Sequence, residues 1–160
     1  MNYWQSFYKN IRLHKKIDFP SQFAIFCIGE QKSASNLIEF GCGNARDAYF
    51  FSKYYKNVYA FDKSKFAIDY NKKKFSKSKN LHFHKYDIND KFDFSYIKNK
   101  KKTIYARFFL HTLTNEEIII FIKLCRYLLD KNERVFCEYR TYKDKSKKKV
   151  FKKHFRNYLK

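Results

Sequence analysis

Two glycines one residue apart follow a short apolar run, and this pair constrains the fold more than any other feature of the chain. The 160 residues include only three glycines and one proline, so few positions favour a sharp backbone turn. Gly41 and Gly43 come directly after the run 36–40, which predicts a buried strand entering a tight turn. A helix is predicted next, from Asp47 to Lys56, so this segment has strand–turn–helix order.

Four further short strands alternate with helical segments along the chain. The five predicted strands cover residues 36–41, 58–62, 81–87, 103–108 and 133–139. The predicted helices lie around Trp4–Ile11, from Ser21 through Cys27, over 47–56, over 64–75, and from a capping box at Thr114–Glu117 to about Leu129. Alternating strands and helices form a sheet covered on both faces. We therefore predict an α/β fold, a Rossmann-like three-layer sandwich with a mostly parallel sheet of about five strands.

The length suits a single domain over residues 1–160. We expect residues 1–30 to form an N-terminal helical cover, 31–140 the Rossmann-like core, and 141–160 a basic C-terminal segment. The first residues lack a signal-peptide core, and the longest aliphatic run, 118–122, is too short to span a bilayer. The four cysteines form no CxxC pair, which disfavours a zinc site or a disulfide framework. We expect a cytoplasmic protein that does not bind membranes.

The net charge of +21 admits two explanations. A basic chain of this kind can bind nucleic acid. Alternatively, the abundance of Lys, Asn, Ile, Phe and Tyr reflects an AT-rich genome. Lysine far outnumbers arginine, whereas specific phosphate recognition favours arginine, so we prefer the compositional explanation and leave nucleic acid open as a partner.

Acidic residues near the ends of the first two strands suit a nucleoside cofactor. Asp62 follows Gly41 by about twenty residues, the usual spacing of a carboxylate that binds ribose hydroxyls. A dinucleotide site needs a third glycine where this chain has Arg46, whose side chain would obstruct a pyrophosphate. A nucleoside with a cationic sulfonium or amino group instead suits Glu39 or Asp47 beside the loop.

These motifs resemble those of the class I S-adenosylmethionine-dependent methyltransferases. The matching segments are LIEFGCGNARD at 37–47, VYAFDKS at 58–64 and YDI at 86–88. The resemblance implies that the loop backbone holds the methionine part, Asp62 the ribose and Asp87 the adenine amino group; Ala45 replaces a glycine common in the family. It implies S-adenosylmethionine as cofactor, contacted by Glu39, Gly41, Cys42, Gly43, Asn44, Arg46, Asp47, Asp62, Lys63, Ser64, Asp87 and Ile88.

Arg107 and His111, just after the fourth strand, are the candidate catalytic residues. Arg107 can clamp an anion and His111 can accept a proton. Each also has a structural explanation, because Arg107 can pair with an acid at the core edge and His111 can cap the turn before Thr114. Acceptor binding is predicted for Arg107, Arg140, Lys143, His154 and Arg156, although a solvated basic tail is the preferred explanation for the lysine.

A narrower resemblance bears on the acceptor. The segments 4–8, 20–24, 107–111 and 138–141 are similar to small bacterial methyltransferases of surface-polysaccharide modification, including those of the capsule phosphoramidate type. This similarity implies a small polar acceptor that carries phosphate or sugar. An RNA methyltransferase and a truncated, non-catalytic cofactor-binding remnant remain alternatives. Methyltransferase motifs for base amino groups and cytosine carbon both need a proline pattern that this chain lacks.

Three further expectations concern the sheet. In the family, a strand pair normally follows the fifth strand, and we expect it to be missing or shortened here. An exposed strand edge then predicts a homodimer. His82 and His84 share one face of the third strand, but no third ligand is evident, so no metal site is expected.

Overall fold

The computed structural model describes residues 3–9, 19–30, 35–144 and 157–158. Its strands are β1 (Asn36–Phe40), β2 (Asn57–Asp62), β3 (Leu81–Lys85), β4 (Lys102–Arg107) and β5 (Arg134–Glu138). Its α-helices are α1 (Tyr3–Lys9), α2 (Gln22–Glu30), α3 (Arg46–Phe51), α4 (Lys65–Lys74), α5 (Ser95–Lys98) and α6 (Asn115–Leu128), with a 3₁₀ turn at Leu110–Thr112. None of the helices in these ranges is long and apolar enough to cross a membrane.

The five strands form one sheet in the order β3-β2-β1-β4-β5, and every pairing is parallel. The predicted Rossmann-like fold is therefore confirmed. Chain order reverses between β1 and β4, where Phe40 pairs with Phe61 on one side and Ala106 on the other. A crevice opens outside the carboxyl ends of the strands at such a switch point, so the loop after β1 lies where a ligand binds.

Two apolar cores lie on opposite faces of the sheet. Alternate residues of β1 supply both, with Phe40 facing one core and Leu37 the other. The first core packs α5 and α6 through residues such as Ile97 and Phe121, and the second packs α2, α3 and α4. All five residues of β1 are buried, which is the pattern of a central parallel strand.

Several elements are shorter than the sequence pattern suggested. The helix predicted over 47–56 ends at Phe51, because Lys56 and Asn57 donate backbone hydrogen bonds to Ser35 and lead the chain into β2. The strand predicted to reach Asp87 ends at Lys85, and α5 was not predicted. The capping box is confirmed, since Glu117 N–H donates to Thr114 Oγ1 (3.2 Å) and Thr114 N–H to Glu117 Oε2 (2.8 Å).

The histidines of β3 pack against aromatic side chains. His82 stacks on Tyr59 and His84 on Phe61, each with ring centroids 5.0 Å apart. Burial lowers the pKa of both imidazoles, and neighbouring cationic groups lower it further. The pair therefore extends the packed face of the sheet.

Candidate functional site

A cavity of about 410 Å³ opens at the carboxyl ends of β1, β2 and β4. The structure brings most of the predicted site residues together in its wall. The predicted residues that line it are Glu39, Gly41, Cys42, Gly43, Asn44, Arg46, Asp47, Asp62, Lys63, Asp87, Ile88, Arg107, His111 and Arg140. Residues predicted from motifs scattered along the chain thus share one cavity.

Left-handed backbone shapes the loop between β1 and α3. Gly41, Gly43 and Ala45 have φ angles of 75°, 53° and 58°. A Cβ at Gly41 would lie 2.9 Å from Phe109 Cδ2, and one at Gly43 would collide with the Tyr8 hydroxyl. Both the conformation and the surrounding space therefore favour glycine at these two positions. Ala45 adopts the left-handed conformation despite its Cβ, so the loop keeps its shape at the position where the family often has glycine.

Asp62 ends β2 and connects it to this loop. Its Oδ2 accepts a hydrogen bond from Gly43 N–H (2.9 Å) and its Oδ1 one from Ser64 N–H (2.8 Å). Burial raises the pKa of Asp62, and these two hydrogen bonds oppose that rise. An ionised carboxylate offers about four acceptor positions, so two remain for hydroxyl groups of a ligand.

Ser64 does not contact the cavity, contrary to the prediction. The residue is fully buried, and its Oγ accepts a hydrogen bond from Ala67 N–H at the start of α4. Because its own N–H holds Asp62, Ser64 acts on the site by orienting that carboxylate.

Glu39 presents a buried carboxyl group to the cavity. The residue is 3% exposed, and its Oε2 has no hydrogen-bond partner among the described residues. Burial raises the pKa of Glu39 well above its ordinary value; the charges of Asp47 and Asp62 add to the effect and two arginines oppose it. Buried polar atoms normally have partners, so an unpartnered carboxyl oxygen at a cavity wall suits a cationic group of a ligand.

Asp47 is committed to the protein rather than to a ligand. Its carboxylate accepts hydrogen bonds from Ser21 N–H (2.7 Å), Ser21 Oγ (2.8 Å) and the Tyr105 hydroxyl (2.9 Å). This buried network joins the start of α2 to α3 and β4. Although Asp47 lies in the cavity wall, its geometry supports the loop, and Glu39 is the acid available to a cationic group.

Asp87 and Ile88 form the wall beyond β3. Lys63 Nζ lies 2.6 Å from Asp87 Oδ2, and Asn89 N–H donates to Asp87 Oδ1 over 3.3 Å. Partial burial favours the protonated acid, but the Lys63 and Asn89 contacts outweigh it and lower the pKa of Asp87. The ionised carboxylate beside buried Ile88 suits a flat heterocycle that carries an amino group.

The opposite end of the cavity contains two arginines and a phenylalanine. Arg107 Nε lies 2.5 Å from Glu138 Oε2, and Arg140 forms an ion pair with Asp144. The Phe108 ring centre is 4.1 Å from the Arg107 guanidinium carbon and 4.9 Å from that of Arg140. Arg107 therefore pairs with an acid, as the structural explanation of this residue predicted. Both arginines nevertheless line the cavity.

His111 is 2% exposed in the 3₁₀ turn after β4, and its carbonyl accepts a hydrogen bond from Asn157 N–H (2.8 Å).

Lys143 is exposed and lies outside the cavity wall, with its Nζ 5.8 Å from the Tyr142 ring. The structure therefore does not place it with the other predicted acceptor residues. His154 and Arg156 lie outside the described residues.

Sequence reasoning missed the aromatic wall that α1 contributes. Trp4, Phe7 and Tyr8 line the cavity and contact one another, with the Trp4 and Tyr8 rings stacked at 6.0 Å. Their helical spacing predicted a helix, but only the tertiary structure places that helix over the glycine loop. Phe108, Phe109 and Glu117, which also line the cavity, were likewise not assigned.

Comparisons with known proteins agree with this geometry. Residues 37–132 match the family described as "Methyltransferase domain". A search of curated proteins found no significant match to the sequence.

Solved structures with the same fold are distant in sequence. Phosphoethanolamine N-methyltransferase 1 of Haemonchus contortus, in complex with phosphoethanolamine and S-adenosylhomocysteine, is 12% identical with a TM-score of 0.69, over 88% of this chain and 32% of that one. PKMT2 of Rickettsia typhi, in complex with AdoHcy, is 23% identical with a TM-score of 0.61, over 78% and 23%. A SAM-dependent methyltransferase of Anabaena variabilis is 20% identical with a TM-score of 0.61, over 86% and 61%. At these identities the likeness shows the fold.

Proposed function

Because this chain belongs to the methyltransferase domain family, we propose that it methylates a small anionic acceptor, with S-adenosylmethionine as the methyl donor. The observation that carries the proposal is the single cavity that joins the glycine loop and Asp62 to Arg107 and Arg140. Cofactor and acceptor residues share one wall, so the two ligands can meet.

The protein residues fit the cofactor along its length. Glu39 offers the cationic methionine end a buried oxygen to which no described residue bonds, and Asp62 keeps acceptor positions for the ribose hydroxyls. Asp87 and Ile88 suit the adenine. When bound, S-adenosylmethionine supplies an electrophilic methyl group; the protein aligns the reactants and excludes water around them.

The acceptor end favours recognition of an oxyanion. Arg107 and Arg140 both reach the cavity, and guanidinium groups bind phosphate or carboxylate in a forked geometry that lysine reproduces poorly. A phosphate or carboxylate oxygen needs positioning more than deprotonation, so His111 has a secondary role in this proposal. The resemblance to surface-polysaccharide methyltransferases also supports a phosphate- or sugar-bearing acceptor. The Haemonchus enzyme of the same fold was solved with the phosphate-bearing molecule phosphoethanolamine.

Two measurements test the proposal. Calorimetry should show binding of both S-adenosylmethionine and S-adenosylhomocysteine to the wild-type chain, and absence of binding would refute the cofactor assignment. A methyl-transfer screen of small phosphate and carboxylate compounds should then identify an acceptor. With that acceptor, Arg107→Lys and Arg140→Lys should lower turnover and leave cofactor affinity unchanged. Full activity in both variants would refute the anionic assignment and favour a mechanism with His111 as base.

A further inference from the structure

Phe108 adopts a backbone conformation that bulky residues rarely occupy. Its φ angle is 53°, in the left-handed region where a non-glycine residue of this size is a steric outlier. The residue follows β4 directly and lines the acceptor end of the cavity. Its N–H donates a 2.7 Å hydrogen bond to the Glu138 carbonyl, which holds the turn against β5. Backbone strain of this kind concentrates at functional sites.

The strained turn places one aromatic ring beside two guanidinium groups. Both guanidinium carbons, of Arg107 and Arg140, lie within 5 Å of the Phe108 ring centre. Two cations at one site repel each other, and an aromatic ring stabilises a cation over its face. The carboxylates of Glu138 and Asp144 pair with the same two arginines. Each arginine is thus paired with a carboxylate, so the orientation of the two guanidinium groups contributes to what binds.

We propose that Phe108 is a positioning residue that sets the spacing of Arg107 and Arg140 for one oxyanion group of the acceptor. This inference rests on the proposed function, because it assumes that the two arginines bind the acceptor. The ring contacts both guanidinium groups, and the left-handed turn is the conformation that brings the ring there. Because a guanidinium presents its donors in a planar fork, the site selects a forked oxyanion over a spherical anion such as chloride.

The test uses inorganic phosphate as the probe, with the protein saturated by S-adenosylhomocysteine. Binding is followed through the Nε–H resonances of the arginines, with chloride as the comparison anion. Phe108→Gly removes the ring but tolerates the left-handed backbone, and should weaken phosphate binding about tenfold. Its melting temperature should not fall, and its affinity for S-adenosylhomocysteine should be unchanged. Phe108→Tyr retains a ring and should restore phosphate binding.

Asn132→Gly is the matched control, because Asn132 also has a positive φ (72°) and lies outside the cavity wall. This variant also places a glycine at a left-handed position, and it should leave the phosphate affinity unchanged. Phe108→Asn repeats the loss of the ring with a side chain that tolerates this conformation, and decides the test if the glycine variant does not fold. Wild-type phosphate affinity in the ringless variants, or equal loss in Phe108→Tyr, overturns the inference alone. Failure of the wild type to bind phosphate overturns the anionic-acceptor proposal and this inference with it.

Discussion

Gly43 N–H donates a 2.9 Å hydrogen bond to Asp62 Oδ2 and so joins the loop after β1 to the end of β2. The same carboxylate accepts a second backbone hydrogen bond, from Ser64. Asp62 therefore has two roles at once, since it holds the loop in shape and presents its remaining acceptor positions to the cavity. A change at Asp62 affects both.

We expect Asp62→Ala to weaken S-adenosylmethionine binding by roughly 1–3 kcal/mol, the usual cost of losing a hydrogen bond to a charged group. Calorimetric titration measures the change. The control is Asp69→Ala on α4, whose exposed carboxylate pairs only with Lys65 in the described contacts and should leave the affinity unchanged. Wild-type affinity in Asp62→Ala would disprove the ribose assignment.

Gly43→Ala should impair the loop in two ways. The new Cβ would meet the Tyr8 hydroxyl, and alanine disfavours the left-handed φ of 53°. Because Trp4 is the only tryptophan and lines the cavity beside Tyr8, its fluorescence should report displacement of α1. Gly29→Ala is the control, since no described residue lies within 4 Å of its Cβ position and alanine favours a helix. Unchanged fluorescence and cofactor affinity in Gly43→Ala would contradict the packing of α1 on the loop.

Stability should depend on pH through Glu39. Its pKa in the folded chain is raised, mainly by burial, above the ordinary value of about 4.3. The protonated form therefore stabilises the fold below that ordinary pKa, and this contribution is lost as pH rises through the folded pKa. We expect Glu39→Gln to melt higher than the wild type at neutral pH, with a difference that shrinks as the solution is acidified.

Thermal unfolding of both proteins across that acid-to-neutral range checks the expectation. A difference in melting temperature that stays constant with pH would count against it. A ligand cation beside Glu39 favours its ionised form. Binding of S-adenosylmethionine should therefore release protons from the wild type. Calorimetry in buffers of different ionisation enthalpy would detect this release, which Glu39→Gln should reduce.

The ion pair between Lys102 and Glu133 should contribute more to the stability of the fold than exposed ion pairs do. The Lys102 side chain is fully buried, and its Nζ donates to Glu133 Oε2 over 2.8 Å. Loss of one partner leaves a buried charge unpaired, so Lys102→Ala should destabilise the fold by about 3–5 kcal/mol. Denaturant unfolding measures this. Lys65→Ala removes an exposed pair and should cost less than about 1 kcal/mol; equal effects of the two changes would argue against a buried pair.

The basic charge leads to a prediction about nucleic acid. If composition explains the net charge of +21, duplex DNA should bind weakly and dissociate at physiological salt. Fluorescence anisotropy over a salt series gives the affinity and the slope of its logarithm against the logarithm of salt concentration. Tight binding that persists at moderate salt with a steep slope would instead support the nucleic-acid alternative.

Local patterns in the sequence determined the fold class and much of the cofactor side of the site. Short apolar runs predicted the five strands, and the pair Gly41 and Gly43 predicted the turn after β1. These predictions succeeded because strand and turn formation depend mainly on residues that are neighbours along the chain. The separation of Asp62 from the glycine loop along the chain predicted its place in the cofactor site. The capping box before α6 was likewise local and appears in the structure as predicted.

Only the tertiary structure decided which acid in the cavity wall is available to a ligand and what surrounds the acceptor end. Glu39 and Asp47 are both acids beside the loop, yet Asp47 is bonded to Ser21 and Tyr105, which are distant along the chain. The fold likewise determines that Arg107 pairs with Glu138 across β4 and β5, and that α1 packs against Gly43. The energy of a polar side chain depends on the groups that surround it in space, and sequence spacing does not specify those groups.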